Sequence, residues 1–434
     1  MNGDPAPSAL TRWLARAPAP AFAAVAIAGA FTAYFCMYGV RKPFAAAEWD
    51  GSVMVFGRPL AQKSLFIIAQ VLGYCASKFL GIKVISEMTG RRRALALIAF
   101  IAFAELALVL FAVTPQPWSA IFLVLNGLPL GMVWGLVFGY LEGRRLTEVL
   151  GAGLSASYIV ASGFVKTVGL WLLERGVPEP WMPAATGLLF FPPLLLATFT
   201  LQRLPPPSAE DEASRTKRAP MEGPARRAFV RAYAPGLALL TLLYVLLTAY
   251  RDFRDNFAAQ LWTALGYADT PEILTISELP IALGVLVILA FGMTIRDNRR
   301  ALLLVHAVML AGSLLILGST ALWQAGALDP AAWMILVGLG LYVGYVPFGC
   351  ILFDRLIATV GVVGTAGFMI YVTDAFGYLG SVAVLIYRDF GQRSLSWLEF
   401  FVGFSYATGA ITSACFLGSL AYFAARTRGA RPPR

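Results

Sequence analysis

Tyr38-Gly39-Val40-Arg41-Lys42-Pro43-Phe44-Ala45-Ala46-Ala47-Glu48-Trp49 closes an apolar run that starts near Ala21, and it sets two adjacent cations where the chain should lie in a membrane. An intramembrane cation is costly and points to function. The same pattern returns in the second half, where Arg41, Phe44, Ala45, Ala46 and Trp49 are echoed at identical spacing by Arg254, Phe257, Ala258, Ala259 and Trp262. A second echo pairs Arg92-Arg93-Ala94-Leu95 with Arg299-Arg300-Ala301-Leu302. A third pairs Glu142, Arg145 and Leu146 with Asp354, Arg355 and Leu356, at a similar separation. Three ordered matches indicate internal duplication, and two parallel halves that each carry a buried cation predict a transporter.

Composition agrees. The chain has 434 residues, of which 59% are apolar and 13% charged, and its mean hydropathy is +0.72, which places it among polytopic membrane proteins. The net charge of +10 would suggest nucleic acid in a soluble protein. Here the basic residues fall in short loops between apolar runs, which is a topology signal, so no nucleic-acid partner is expected. The four cysteines, Cys36, Cys75, Cys350 and Cys415, lie in apolar runs without metal-ligand spacing. With His306 the only histidine, the chain is expected to hold no metal or cofactor and to be no enzyme.

Runs long enough to cross ~30 Å of hydrocarbon start near Ala21, Ser64, Ala94, Trp118, Leu146 and Met182, then near Ala234, Ile273, Ala301, Ala331, Ala358 and Trp397. The expected fold is an all-α membrane protein of twelve transmembrane helices in two pseudosymmetric six-helix bundles. Residues 1–19 are read as a disordered cytoplasmic tail, 20–201 as the first bundle, 202–228 as a cytoplasmic linker, 229–425 as the second bundle and 426–434 as a basic cytoplasmic tail. Lys and Arg concentrate on the side that carries both termini, which the positive-inside rule makes cytoplasmic. A monomer in a bacterial inner membrane is expected.

Polar residues within the spans form stripes at helical spacing. Tyr34, Tyr38 and Arg41 share a face, as do Gln70, Tyr74 and Lys78. The fifth span carries Ser155, Tyr158, Ser162 and Lys166, the seventh Tyr250, Arg251 and Arg254, and the eleventh Tyr371, Asp374 and Tyr378. Each also admits a plainer reading. Arg41 can snorkel to the outer interface, and Arg251, Asp252, Arg254 and Asp255 can form a self-neutralised helix end. Lys78 and Lys166 are flanked by apolar residues, where a lysine costs about 2.5–3.5 kcal/mol to insert. The residues expected to bind a small anionic solute are Arg41, Tyr38, Lys78, Tyr74, Arg254, Tyr158 and Lys166, with Arg41 and Arg254 as a clamp from opposite halves. Lys42 and Asp255 follow the two arginines and are expected to pair across the halves as a gate, with Glu278 sharing Lys42. Asp374 is a candidate proton carrier, or a structural group if paired with Lys166. Glu105 has no evident partner.

The stretch from Tyr38 to Ala45 resembles the first-helix motif Tyr-x-x-Arg-Lys-Asn-Phe-Ala of the organophosphate:phosphate antiporters within the major facilitator superfamily, with Pro43 in place of Asn. Gly73-Tyr74-Cys75-Ala76-Ser77-Lys78-Phe79 is similar to that family's second-helix segment. The resemblance implies the major facilitator fold, anion contacts at Arg41 and Lys78, a pseudosymmetric arginine at Arg254, and an acidic position at Glu278 that joins Asp255 in bridging to Lys42. It favours exchange over proton coupling. Where that family carries a histidine on its fifth helix, this chain offers Tyr158 and Lys166. The expected function is a secondary active transporter that moves an organophosphate or carboxylate by rocking its halves. The alternative is a receptor-like or scaffolding membrane protein that keeps the fold without transport.

Overall fold

A computed structural model describes residues 8–428 except 56, 87, 89, 214–222, 361–366 and 393. Twelve long helices follow one another: α1 Ala19–Arg41, α2 Gln62–Ser86, α3 Gly90–Val113, α4 Ala120–Phe138, α5 Thr147–Glu174, α6 Met182–Gln202, α7 Gly223–Asn256, α8 Glu278–Met293, α9 Asn298–Gln324, α10 Pro330–Cys350, α11 Gly367–Gly391 and α12 Trp397–Arg426. Among the described residues, all except α11 meet the length and hydropathy needed to cross a membrane, α8 doing so together with the preceding turn as Ile273–Met293. Helix α11 lies between α2 and α7 and completes the set.

In the first half α1 packs on α5 and α6, and α4 packs on α2 and α3. In the second, α7 packs on α11 and α12, and α10 packs on α8 and α9. The halves meet where α2 faces α11 and α5 faces α8. Glycine permits the tightest contacts, since a Cβ at Gly73 would stand 2.0 Å from the Val124 carbonyl oxygen, and one at Gly163 would stand 1.9 Å from that of Leu274. The surface of the bundles is apolar, with Leu95, Leu196 and Phe291 exposed, as burial against lipid rather than water allows.

Duplication is visible in the backbone. Helix α1 stops at Arg41, and Pro43 opens a 3-10 turn over Pro43–Ala46, because proline has no N–H to continue the ladder. Helix α7 stops at Asn256 and resumes as Ala258–Ala264 after Phe257 leaves helical geometry. Each arginine therefore sits at a helix break. Beyond the first break Trp49 takes φ +53, a strained value for a bulky residue. It is held by its indole N–H donating to the Phe44 carbonyl at 2.6 Å and by edge contacts with Phe66 and Phe111.

Several boundaries differ from expectation. The tail is not disordered throughout, because Ala9–Arg16 is a helix whose first turn is capped by the Ser8 hydroxyl and whose Leu14 is buried. Part of the linker, Ala209–Ala213, is helical. Helix α7 begins at Gly223, ahead of the expected boundary, and bends at Tyr233 before Pro235. Leu352–Val360, at the start of the eleventh run, is helical with Phe353 and Leu356 buried, and α11 is described from Gly367. A hairpin, β1 Ser52–Val55 with β2 Arg58–Ala61, joins α1 to α2. It is antiparallel with Val55 opposite Arg58, and Gly57 at φ +75 supplies the turn.

Candidate functional site

Between the halves lies a cavity whose open space, mouth included, is about 550 Å³. The first half contributes Tyr34 and Tyr38 from α1, Tyr74 and Lys78 from α2, Trp134 from α4, and Ser155 and Tyr158 from α5. The second contributes Tyr244 and Arg251 from α7, Tyr345 and Gly349 from α10, and Ile370, Asp374 and Tyr378 from α11. Trp134, Gly349 and Ile370 lie near the helix ends on the side of the termini, so the cavity runs toward that side.

Of the residues expected to bind solute, Tyr38, Tyr74, Lys78 and Tyr158 line this cavity. Arg41 stands beside it, 4% exposed, with its guanidinium carbon 3.8 Å from the Tyr74 ring centroid and 5.6 Å from that of Tyr38. Its Nε has no hydrogen-bond partner, and no carboxylate pairs with it among the described residues. This placement differs from a side chain snorkelling to the interface. Burial is possible because the helix break leaves carbonyls for other groups to satisfy. Gln70 donates to the Arg41 carbonyl at 2.8 Å, and Asn126 donates to those of Val40 and Ala104 at 3.1 and 3.0 Å. A lone Asn in the apolar α4 run was the signal for that clasp.

The second-half cation on the cavity wall is Arg251, one turn before Arg254. Arg251 donates to the hydroxyls of Tyr345 and Tyr378 and pairs with Asp252 at 2.7 Å, which in turn accepts from Ser381 at 2.7 Å. Arg254 lines a separate, smaller pocket of about 260 Å³ with Lys166, Asp255 and Glu278. Its guanidinium is taken by Glu278 at 2.8 Å and the Met334 carbonyl at 3.1 Å. Glu278 therefore bonds within its own half and does not share Lys42, a correction that follows from its place in the first turn of α8, directly beside Arg254.

Lys42 and Asp255 meet across the halves at 2.5 Å, and Lys42 also donates to Asn256 at 2.8 Å. Lys166 bonds to the other oxygen of Asp255 at 2.6 Å, joined there by the Ser162 hydroxyl. One carboxylate thus serves two lysines. Lys166 belongs to this cluster and leaves Asp374 to Lys78, which it meets across the halves at 3.0 Å, while the Tyr244 hydroxyl donates to the second oxygen of Asp374. The side chain of Tyr371 lies outside the described residues. Glu105 on α3 is buried against Gly187 of α6, and its oxygens have no partner among the described residues.

The sequence stripes omitted Trp134, Tyr244, Tyr345, Gly349 and Ile370. The i, i+7 spacing of Tyr244 and Arg251 was a legible signal; for α10 only the pair Tyr342 and Tyr345 hinted at a wall. Among the described residues no group of three or more His, Cys, Asp or Glu side chains is placed to hold a metal.

Comparisons with known proteins fit this geometry at the level of fold. A family model described as "Family of unknown function (DUF5690)" matches residues 43–426. No curated protein sequence matches the chain. Among solved structures, the crystal structure of a D-xylose-proton symporter superposes with a TM-score of 0.61 at 15% identity, over 92% of this chain and 96% of that one. At that identity the likeness concerns the fold, two six-helix bundles of the major facilitator type.

Proposed function

Starting from a chain that belongs to the family of unknown function DUF5690 and has the major facilitator fold, we propose a secondary active transporter that carries a small organic anion, an organophosphate or carboxylate, by rocking its halves around the central cavity. The observation that carries this reading is Arg41. Every other cation around the cavity and the smaller pocket beside it has a carboxylate partner: Lys42 and Lys166 have Asp255, Lys78 has Asp374, Arg251 has Asp252 and Arg254 has Glu278. Arg41 has an aromatic face, an Nε without a hydrogen-bond partner and no carboxylate paired with it among the described residues. A buried guanidinium without a counter-ion is costly, and an anion of the solute supplies what the fold leaves out.

On this reading Arg41 from the first half, 3.8 Å from the Tyr74 ring, and Arg251 from the second, 5.6 Å from that of Tyr378, reach the solute beside the Tyr74–Tyr378 contact, whose ring centroids are 4.8 Å apart. The incoming anion competes for Lys78 with Asp374, an exchange of partners that couples occupancy to movement of the halves. We place the termini in the cytoplasm of a bacterium and the protein in the inner membrane, acting as an exchanger. The named symporter transports with protons, and Asp374 is the carboxylate through which such coupling would run here.

The test is exchange of radiolabelled organic anions in proteoliposomes. Arg41→Lys is expected to lower the rate at least tenfold with normal expression, because lysine keeps the charge but loses the planar paired donors. Wild-type exchange in this variant would overturn the assignment. Rates that follow an imposed pH gradient in the wild type and lose that dependence in Asp374→Asn would replace exchange by proton coupling.

A further inference from the structure

The cavity's lining is unusual for a site that takes a polyhydroxylated solute. We propose that the organic part of the transported anion is an aromatic ring, so that the cavity is a cage for a small aryl carboxylate or aryl phosphate. The proposal rests on the anion reading above and specifies the part of the solute that reading leaves open.

Aromatic side chains surround the space on both sides. Tyr34, Tyr38, Tyr74 and Tyr158 stand on the first half, and Tyr244, Tyr345 and Tyr378 on the second, with Trp134 toward the mouth. Tyr34 meets Tyr38 edge-on at 5.7 Å, and Tyr158 faces Tyr34 at 6.4 Å and Tyr345 at 6.5 Å. Offset and edge-to-face contacts favour separations of ~4.5–7 Å, and the Tyr158 pairs stand at the loose end of that range. Tyr158 is half-buried, and its three ring neighbours, Tyr34, Tyr342 and Tyr345, all stand at these wider separations.

The polar groups argue the same way. Recognising a chain of hydroxyls takes paired donors and acceptors, supplied by amide, carboxylate or imidazole side chains. Among the described lining residues there is no Asn, Gln, His or Glu, Ser155 is the only aliphatic hydroxyl, and the one carboxylate, Asp374, is engaged by Lys78 and Tyr244. Three of the phenol hydroxyls are also committed: that of Tyr244 to Asp374 and Tyr345, and those of Tyr345 and Tyr378 to Arg251. The oxygens of these three second-half tyrosines are therefore turned to charged groups of the wall. With cations at Arg41, Lys78 and Arg251, the walls match a flat, weakly polar body that carries one anionic group.

The purified protein is tested by thermal shift and by counterflow in proteoliposomes against benzoate, phenyl phosphate, benzyl alcohol, inorganic phosphate, glycerol 3-phosphate and glucose 6-phosphate. Phenyl phosphate and inorganic phosphate share the anionic group, so their difference reads the ring. The expected result is that benzoate or phenyl phosphate binds at least tenfold tighter than inorganic phosphate and the polyol phosphates. Tyr158→Phe should keep that preference, and Tyr158→Leu should weaken aryl binding about tenfold. Glycerol 3-phosphate or glucose 6-phosphate binding as tightly as phenyl phosphate would overturn the aromatic proposal and leave the anion reading standing. Benzyl alcohol binding as tightly as benzoate would overturn the anion reading and keep the ring. No stabilisation by any of the six would overturn both.

Discussion

At Asp255 two lysines of the first half converge on one carboxylate of the second, with Lys42 on one oxygen and Lys166 on the other. The groups are largely buried, so water cannot replace a lost partner, and removing one member of such a pair costs about 3–5 kcal/mol. The two sides of the cluster are not equivalent. Lys42→Met leaves a matched pair between Lys166 and Asp255, whereas Asp255→Asn leaves two buried cations with none. Asp255→Asn should therefore lower the unfolding midpoint in detergent clearly more than Lys42→Met or Lys166→Met, and equal shifts in the three variants would show that Asp255 is not the hub. The same sharing limits a simple exchange of Lys42 and Asp255, because a lysine at 255 would stand against Lys166.

Helix α5 approaches the second half closely at a glycine. Gly163 faces the Ile273–Ile276 turn that precedes α8, with a Cβ placed 1.9 Å from a backbone oxygen that cannot move independently. Five residues beyond Ser162, which bonds Asp255, Thr167 meets Thr275 at 2.8 Å and reaches the Pro271 carbonyl at 3.1 Å. This face closes the side opposite the termini. Gly163→Ala should wedge it apart and slow transport at least tenfold with little loss of folded protein. Gly318→Ala on α9, where nothing lies within 4 Å, is the matched control and should transport normally, with the small gain expected for alanine in a helix. Unchanged transport in Gly163→Ala would mean that this contact stays loose through the cycle.

Seen as a whole, the molecule is fastened on both sides of the cavity. Opposite the termini are the Asp255 cluster and Lys63, which donates to Gln260 at 2.7 Å. Toward the termini are Lys78–Asp374 at 3.0 Å and Arg355–Glu148 at 3.2 Å, again across the halves. Alternating access requires these two sets to open in turn. With a cysteine at Ser155 in a background lacking the native four, Arg355→Ala should raise labelling by an impermeant thiol reagent applied on the side of the termini. Asp255→Asn should raise it from the opposite side. Labelling that rises equally from both sides in either variant would contradict separate gates.

By itself the sequence determined that this chain crosses the membrane repeatedly, that it is duplicated, and which spans turn polar stripes inward, because hydrocarbon penalises every unpaired polar group and so writes the burial pattern into composition. It also placed Lys42 opposite Asp255, since both follow a repeated arginine. Only the tertiary structure decided the partners. Arg251 and Arg254 lie one turn apart with the same chemistry, and which of them faces the cavity depends on Glu278 standing beside Arg254 in the folded second half. Lys166 went to Asp255 and Lys78 to Asp374 because the meeting of the halves, which brings the end of α7 beside α5 and packs α2 on α11, sets those distances. The tyrosine wall contributed by α10 was likewise hidden, because a tyrosine in an apolar run reads the same whether it faces lipid headgroups, a neighbouring helix or a cavity. Helix rotation about its own axis, fixed by contacts distant in sequence, distinguishes these cases.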